Sequence, residues 1–268
     1  MEKLGRNERL IAITKELLEH PHRLISLSHF AQLFEAAKST TSEDVAMVKS
    51  TFEALKLGRV ETVPGAAGGV RFVPYLDEAA VENVVQRLCR EMSDPRRILP
   101  GGFIYMADIL FSPSLMADAG RVFATKFADL HPDYVLTMET KGIPLAFMTA
   151  AALNVPLAIA RRDTMVAEGP VVSINYISGS TRRIQTMSLA RRALTSGARV
   201  LIMDDFMKGG GTAKGLIELA AEFAAEVVGI GVLVVTSEPA SKLVDGFVAL
   251  LLLEGVDEEK KTVAISPA

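Results

Sequence analysis

Adjacent Asp204 and Asp205, followed within seven residues by Gly209, Gly210, Gly211 and Thr212, are the residues of this chain best suited to chemistry. A glycine run lets backbone N–H groups approach an anion because no Cβ intervenes, and a helix beginning there adds its positive end. Two carboxylates repel a phosphate but accept the two hydrogen bonds that a vicinal diol donates. Phosphate in the glycine turn and hydroxyls on the acids together describe a ribose-5-phosphate group. The run is not a Walker loop, because no Gly-Lys-Ser/Thr closes it and the acids precede the glycines. Between acids and glycines stand Phe206, Met207 and Lys208. As a point charge Lys208 can pair with a phosphate, but a cation is a poor general base. The competing reading is an ordinary turn, with glycines for tight packing and the acids in solvent.

The elements that must hold these residues are a strand and a helix. Residues 200–203 are apolar without alternation, as in a parallel strand covered on both faces, and 213–221 have a helical pattern. A second unit of the same kind lies upstream. There an apolar strand (134–138) exits into Glu139-Thr140-Lys141-Gly142, and Pro144 opens a helix over 145–153. Further strands are expected at 156–160, 226–236 and 247–253, and helices at 77–92, 113–130 and 188–196, the last with Arg191 and Arg192 outside. Strands alternating with helices imply an α/β domain with a central parallel sheet and ligand at the strands' carboxyl ends.

The first 75 residues are organised differently. A stripe of Leu10, Ile11, Ile13, Thr14, Leu17 and Leu18 predicts a helix over 6–19. A short helix over 29–37 follows, with Ser28 as its N-cap. Lys38, Ser39, Thr40, Thr41 and Ser42 then read as a polar turn. Thr41 and Asp44 are spaced as a capping box for a third helix, whose Val45, Val48, Phe52 and Leu55 face inward. Two strands around the loop 64–69 complete the order of a winged helix-turn-helix, in which the third helix enters the major groove of duplex DNA. The DNA-facing residues expected are Lys38 to Ser42 on phosphates, Lys49 on the third helix, Arg59 and Arg71 on the hairpin, and Arg6 and Arg9 on the first helix. A winged helix used for dimerisation or protein docking remains the alternative. The glycine-rich, uncharged hairpin tip would suit it equally.

Composition excludes several classes. Of 268 residues, 49% are hydrophobic and 23% charged, which describes a folded chain long enough for two domains. A net charge of −3 argues against a uniformly cationic nucleic-acid coat. Residues 1–75 hold ten Lys/Arg against nine Asp/Glu, a mild asymmetry. The single cysteine, Cys89, excludes an internal disulfide and a cysteine-based zinc cluster, and its helical apolar neighbours make it a core residue. No metal site is expected. The charged N-terminus lacks the apolar core of a signal peptide, and the longest apolar run is too short to span a membrane, so the expected location is cytoplasmic.

The two strand-turn-helix units resemble those of the type I phosphoribosyltransferases. In that family the glycine turn holds the 5′-phosphate of phosphoribosyl pyrophosphate (PRPP), and Thr140, Lys141 and Gly142 match the loop that holds its pyrophosphate. A more specific resemblance spans nearly the whole chain. Residues 62–69, 98–102, 140–144, 173–176, 183–190 and 204–208 are similar to the purine operon repressors of Gram-positive bacteria. That resemblance implies a winged-helix DNA-binding domain (1–75) fused to a phosphoribosyltransferase-like domain (76–268). It further implies a homodimer on double-stranded promoter DNA of purine genes and PRPP as the nucleotide-type effector that releases the DNA. Guanosine tetraphosphate competes for the same site in some members. The effector residues implied are Thr140, Lys141, Gly142 and Asp204 through Thr212. A loop or hairpin in 161–180 is implied to close over PRPP, with Ser173, Asn175 and Tyr176 facing it together with Tyr105. No catalytic residue and no required cofactor are assigned, and a role for Mg²⁺ is left open. The alternative is an active purine phosphoribosyltransferase with an accessory helical domain.

Overall fold

The computed structural model describes residues 4–65, 67–162, 169–177 and 183–268. They divide into two compact units, the first ending at residue 78 and the second comprising most of the remainder.

The first unit runs α1 (Arg6–Glu19), α2 (Leu27–Leu33), α3 (Lys38–Leu55), β1 (Arg59–Val63) and β2 (Gly69–Val73), with β1 and β2 antiparallel. Its core joins Ile13 and Leu17 of α1, Phe30 of α2, Val45, Val48 and Phe52 of α3, and Val60, Val70 and Phe72 of the hairpin. Phe52 meets Phe72 edge-to-face at 5.4 Å, which ties the third helix to the wing. Ile25 and Val70 exchange backbone hydrogen bonds of 2.9 and 2.8 Å, so the segment before α2 pairs with the hairpin.

Several local expectations are corrected here. Helix α2 starts at Leu27, because extended Ser26 rather than Ser28 accepts the His29 N–H at 3.1 Å. Residues 38–42 are no turn but the first turn and a quarter of α3, whose N-cap is Ala37 with no side-chain cap. Thr41 and Asp44 form no capping box. The Thr41 hydroxyl bonds back to Ala37 O at 3.2 Å, and the buried Asp44 carboxylate is held by Arg9 at 2.7 Å and Arg6 at 3.4 Å. A buried carboxylate needs such cations more than a helix terminus needs a cap. The α1 stripe also splits: Ile13 and Leu17 are buried, whereas Ile11 and Leu18 are exposed, as is Leu55 of α3.

The second unit begins with α4 (Glu78–Met92), which buries Cys89 as expected, then a small hairpin of β3 (Ile98–Leu99) and β4 (Phe103–Ile104) and the short α5 (Ala107–Leu110). Next come α6 (Pro113–Phe127), β5 (Tyr134–Met138), α7 (Ile143–Leu153), β6 (Leu157–Ala160), β7 (Val171–Ile177) and β8 (Ile184–Ala190). Last are β9 (Arg199–Met207), α8 (Gly211–Ala221), β10 (Glu226–Thr236), β11 (Phe247–Asp257) and β12 (Thr262–Pro267). The helix expected over 188–196 is instead the end of β8 and a turn. Ser188 pairs with Ser173 across the hairpin and exchanges backbone hydrogen bonds with Arg161, so its backbone groups go to strands. Strand β12 escaped the sequence reading; it pairs antiparallel to β11 at the sheet edge.

The sheet order is β12-β11-β10-β9-β5-β6, parallel except for β12. From β5 the chain steps outward through α7 to β6, whereas from β9 it steps the other way through α8 to β10. The connection therefore reverses between β5 and β9, and an open α/β sheet has its ligand crevice at that point. The β5–β9 pairing runs from Tyr134↔Val200 to Leu136↔Ile202, short of the carboxyl ends of both strands. Beyond it the strands lead into two loops, residues 139–142 and 208–210.

Candidate functional site

Those two loops face a cleft of about 560 Å³ lined by Met138, Glu139, Thr140, Lys141, Arg162, Tyr176, Asp204, Asp205, Phe206 and Thr212. Asp204 and Asp205 lie on β9 beyond its pairing with β5, which ends at Ile202, while its pairing with β10 continues to Met207, and the Asp205 N–H donates to Asp204 Oδ1 at 3.0 Å. Glycine is required at 142: a Cβ there would lie 2.6 Å from Thr137 Oγ1 and 3.2 Å from Asp204 Oδ1. The 139–142 loop thus rests directly on the acidic pair. Gly210 has φ +81°, a left-handed conformation that glycine adopts without strain, and serves as N-cap of α8 with no side chain in the way. Leu243 N–H donates to Gly209 O at 3.0 Å and backs this turn from the loop after β10.

The electrostatics divide the cleft. Burial, then the charge of Asp205, pushes the Asp204 carboxyl well above the ordinary carboxylate range. Burial also raises Asp205, offset by the hydrogen bond from Asp204 and by the positive charge of Lys141. Burial and mutual repulsion thus make the pair harder to ionise fully than two exposed acids would be. Donors from a diol or a divalent cation would restore the charged form. Around them Lys141 and Arg162 are exposed cations, and the α8 N-terminus lies across the cleft. Acids for hydroxyls at the floor, with cations and amides for phosphates at the rim, can hold a phosphorylated sugar.

The expected effector residues are not all brought together. Thr140, Lys141, Asp204, Asp205, Phe206 and Thr212 line the cleft; Gly142 packs on Asp204 behind it, and Gly210 and Gly211 start α8 without themselves lining it. Met207 is corrected: its side chain is 3% exposed and belongs to the core. Lys208 and Gly209 are absent from the cleft wall, Lys208 being exposed. Of the residues expected over the effector only Tyr176 lines the cleft, its hydroxyl donating to Gln185 at 2.8 Å. Ser173 bonds Ser188 at 2.7 Å and Asn175 bonds Thr186 at 3.0 Å, both within the β7–β8 ladder. Tyr105 is exposed and is not among the lining residues. Residues 163–168 and 178–182, part of the segment expected to close over the ligand, lie outside the described residues.

Sequence reasoning missed Glu139 and Arg162. The Glu139 carboxylate accepts the Arg162 N–H at 2.8 Å and faces Arg161 Nη1 at 3.4 Å, fastening the exit of β6 to the loop after β5. The Arg161-Arg162 pair at a strand end, beside an anion loop, was the signal available. Among the described residues no group of three or more His, Cys, Asp or Glu gathers as a metal site.

On the first unit, Lys38, Ser39 and Ser42 are exposed and Thr40 is partly so, along the start of α3. Thr41 is corrected: it is fully buried. Arg9 is corrected as well, because its guanidinium is spent on Asp44 and on Leu4 O at 3.0 Å. Arg6 is exposed beyond its contact with Asp44. Lys49 lies 3.9 Å from Glu53, Arg71 makes a two-pronged bond to Glu61 at 2.8 and 2.9 Å, and Arg59 stacks 3.3 Å above the Tyr75 ring.

Comparison with known proteins matches both units. Residues 5–74 fit the family described as the bacterial purine repressor N-terminal domain, and residues 107–263 fit the phosphoribosyl transferase domain. The purine biosynthesis transcriptional repressor PurR of Bacillus subtilis is 49% identical over 263 residues, covering 98% of this chain and 92% of the relative. The purine biosynthesis transcriptional activator PurR of Lactococcus lactis is 39% identical over 262 residues, covering 98% and 97%. A xanthine phosphoribosyltransferase of an Exiguobacterium species is 36% identical over 123 residues, covering 46% of this chain and 64% of the enzyme. Adenine phosphoribosyltransferase of Saccharomyces cerevisiae superposes with a TM-score of 0.54 at 20% identity over 63% of this chain and 98% of that structure, a likeness of fold. With the winged-helix order in front, the reversed-connection cleft behind, and relatives matching from end to end, the chain belongs to the PurR family of purine transcriptional regulators.

Proposed function

We propose that this protein is a DNA-binding repressor of purine biosynthesis and transport genes, and that its cleft binds PRPP as an inducing effector without turning it over. The observation that carries the effector reading is the apposition of the Asp204–Asp205 pair with the Thr140–Gly142 loop and the α8 N-terminus. The ribose diol donates to the two carboxylates, the 5′-phosphate sits at Gly209–Thr212, and the pyrophosphate meets Thr140, Lys141 and Arg162. Where Mg²⁺ is present, Asp204 and Asp205 are the residues that would hold it, and it would supply positive charge to the ligand's phosphates. A guanosine nucleotide with two diphosphates offers the same ribose and phosphate chemistry and competes for the cleft.

The absence of turnover rests on position rather than on binding. Lys208, between the acidic pair and the glycines in sequence, is a cation, suited to pairing with an anion and not to proton abstraction. The DNA reading rests on the winged-helix order and the full-length similarity to PurR regulators, one a repressor in Bacillus subtilis and one an activator in Lactococcus lactis. Repression is favoured by the higher identity to the B. subtilis protein. A single winged helix buries roughly 600–1,000 Å² on DNA, modest for selective repression, so the working unit is a homodimer in the cytoplasm.

The test is a gel shift on purine-gene promoter DNA with and without PRPP. A retarded band that PRPP releases is expected. Release by hypoxanthine, xanthine, guanine or adenine only in the presence of PRPP, with pyrophosphate produced at enzyme-like rates, would establish the phosphoribosyltransferase reading instead.

A further inference from the structure

Six polar side chains are buried among the described residues: Thr41, Asp44, Thr137, Thr149, Ser188 and Asp204. Five of them have partners. The Thr41 and Thr149 hydroxyls donate to Ala37 O and Leu145 O at 3.2 and 2.9 Å, and Ser188 bonds Ser173 at 2.7 Å. Asp44 holds Arg9, and Asp204 accepts the Asp205 N–H. Thr137, fully buried on β5, has no partner for its hydroxyl. A buried hydroxyl left unpaired costs free energy, so its position calls for a reason.

The surroundings of Thr137 supply one. The place a Cβ of Gly142 would occupy is 2.6 Å from Thr137 Oγ1 and 3.2 Å from Asp204 Oδ1. Hydroxyl and carboxylate therefore face each other across the Gly142 Cα, with no side chain between them. Both are short of partners. A carboxylate can accept about four hydrogen bonds, and buried Asp204 has one backbone donor. The N–H groups of Thr140, Lys141 and Gly142 meet no acceptor among the described residues, so no amide bond holds that loop down on the hydroxyl.

We propose that Thr137 is a positioning residue of the effector site: its hydroxyl is the donor that Asp204 takes up when the ribose diol occupies the acidic pair and the pyrophosphate draws the Thr140–Gly142 loop outward. This rests on the effector reading above and names how the two halves of the cleft, one from β5 and one from β9, act on each other. In the unliganded chain Gly142 keeps donor and acceptor apart. In the liganded chain the hydroxyl gives the buried carboxylate a second protein donor and fixes its orientation toward the diol. The unpaired hydroxyl thus burdens the empty site alone, and its pairing favours the occupied one.

The test is a pair of substitutions in the full chain, read by thermal unfolding and by calorimetry with PRPP. Thr137→Val keeps the shape and removes the hydroxyl. It should raise the Tm of the unliganded protein by about 2–4 °C, because a buried unpaired group is gone. It should nevertheless weaken PRPP about tenfold or more, because a hydrogen bond to a carboxylate is lost. Thr137→Ser keeps the hydroxyl and should bind PRPP within about threefold of the wild type, while its Tm falls with the lost methyl. A hydroxyl with only a structural role would instead lower stability and affinity together in Thr137→Val. An unchanged or lower Tm in that variant, as for a hydroxyl already bonded to a buried water, would overturn the proposal. So would PRPP affinity left intact by Thr137→Val, or weakened equally by Thr137→Ser. A wild-type chain that binds no PRPP would overturn the effector reading and this role with it, whereas wild-type binding that Thr137→Val leaves intact removes the role alone.

Discussion

The cleft and the winged-helix unit both carry cations at their surfaces, yet those cations are prepared in opposite ways. In the cleft, groups are held from behind. Gly142 packs on Asp204, Glu139 grips the backbone of Arg162, and the glycine turn is backed by Leu243. Lys141 and Arg162 remain exposed at the rim. On the winged helix four of the cations are already engaged: Arg71 with Glu61, Arg59 with Tyr75, Lys49 near Glu53 and Arg9 with the buried Asp44. On the proposed function, a ligand entering the cleft would meet a preorganised site, whereas DNA would compete with the protein's own carboxylates for Arg71 and Lys49. The first arrangement concentrates binding energy in a few groups; the second spreads it over many small, salt-sensitive increments.

The largest effect that could break this contrast is at the acidic pair. Asp204→Asn keeps the shape and the acceptor for the Asp205 N–H but removes the charge, and two hydrogen bonds to a carboxylate contribute about 3 kcal/mol or more. A loss of PRPP affinity on the order of 100-fold is expected by calorimetry, with basal promoter binding intact. An unchanged inducing concentration of PRPP would remove the pair from the site. Next is Gly142→Ala, whose Cβ would press on Thr137 and Asp204. Overpacking of about 1–2 kcal/mol should cost roughly tenfold in PRPP affinity while gel shifts stay normal. Smaller again, Lys49→Ala and Arg71→Ala should each weaken DNA binding about three- to tenfold and reduce the salt slope by roughly one, with PRPP affinity preserved. Normal DNA affinity and slope in both would take α3 and the hairpin out of the interface.

Acidity should distinguish the two regions. Asp204 and Asp205 are raised above 3.8 in the folded chain, so the unliganded protein loses stability from them as pH rises from about 4 through the folded values. Diol donors favour the charged form, so PRPP binding should release protons and tighten as pH rises through that window. Calorimetry in buffers of different ionisation enthalpy reads this directly, and zero proton release would contradict it. The smallest expected effect is a gain: Glu61→Gln frees Arg71 from its carboxylate and should tighten promoter binding about two- to threefold at low salt. Tighter binding that persists at high salt would show that the ion pair is not the competitor.

Local order was legible wherever a segment's own pattern settled its structure. The apolar run before Asp204, the glycine turn, Pro144 at a helix start and the helix-helix-helix-hairpin order all depend on neighbours in the chain, and all appear as expected. The acids could be matched to a vicinal diol from residue types, whereas the Thr140–Gly142 loop was matched to pyrophosphate only through the resemblance to the phosphoribosyltransferases. What the tertiary structure decided are the pairings between distant segments. Ser188 became a strand residue because Ser173 and Arg161 were there to bond it, and β12 formed because β11 offered an open edge. Asp44 left its cap for Arg9, thirty-five residues away. Arg162 joined the cleft through Glu139, and Ile11 and Leu18 turned outward because α3 covers only one side of α1. Periodicity records which residues share a face, but a face is buried only by what packs on it, and that depends on contacts no window of sequence contains.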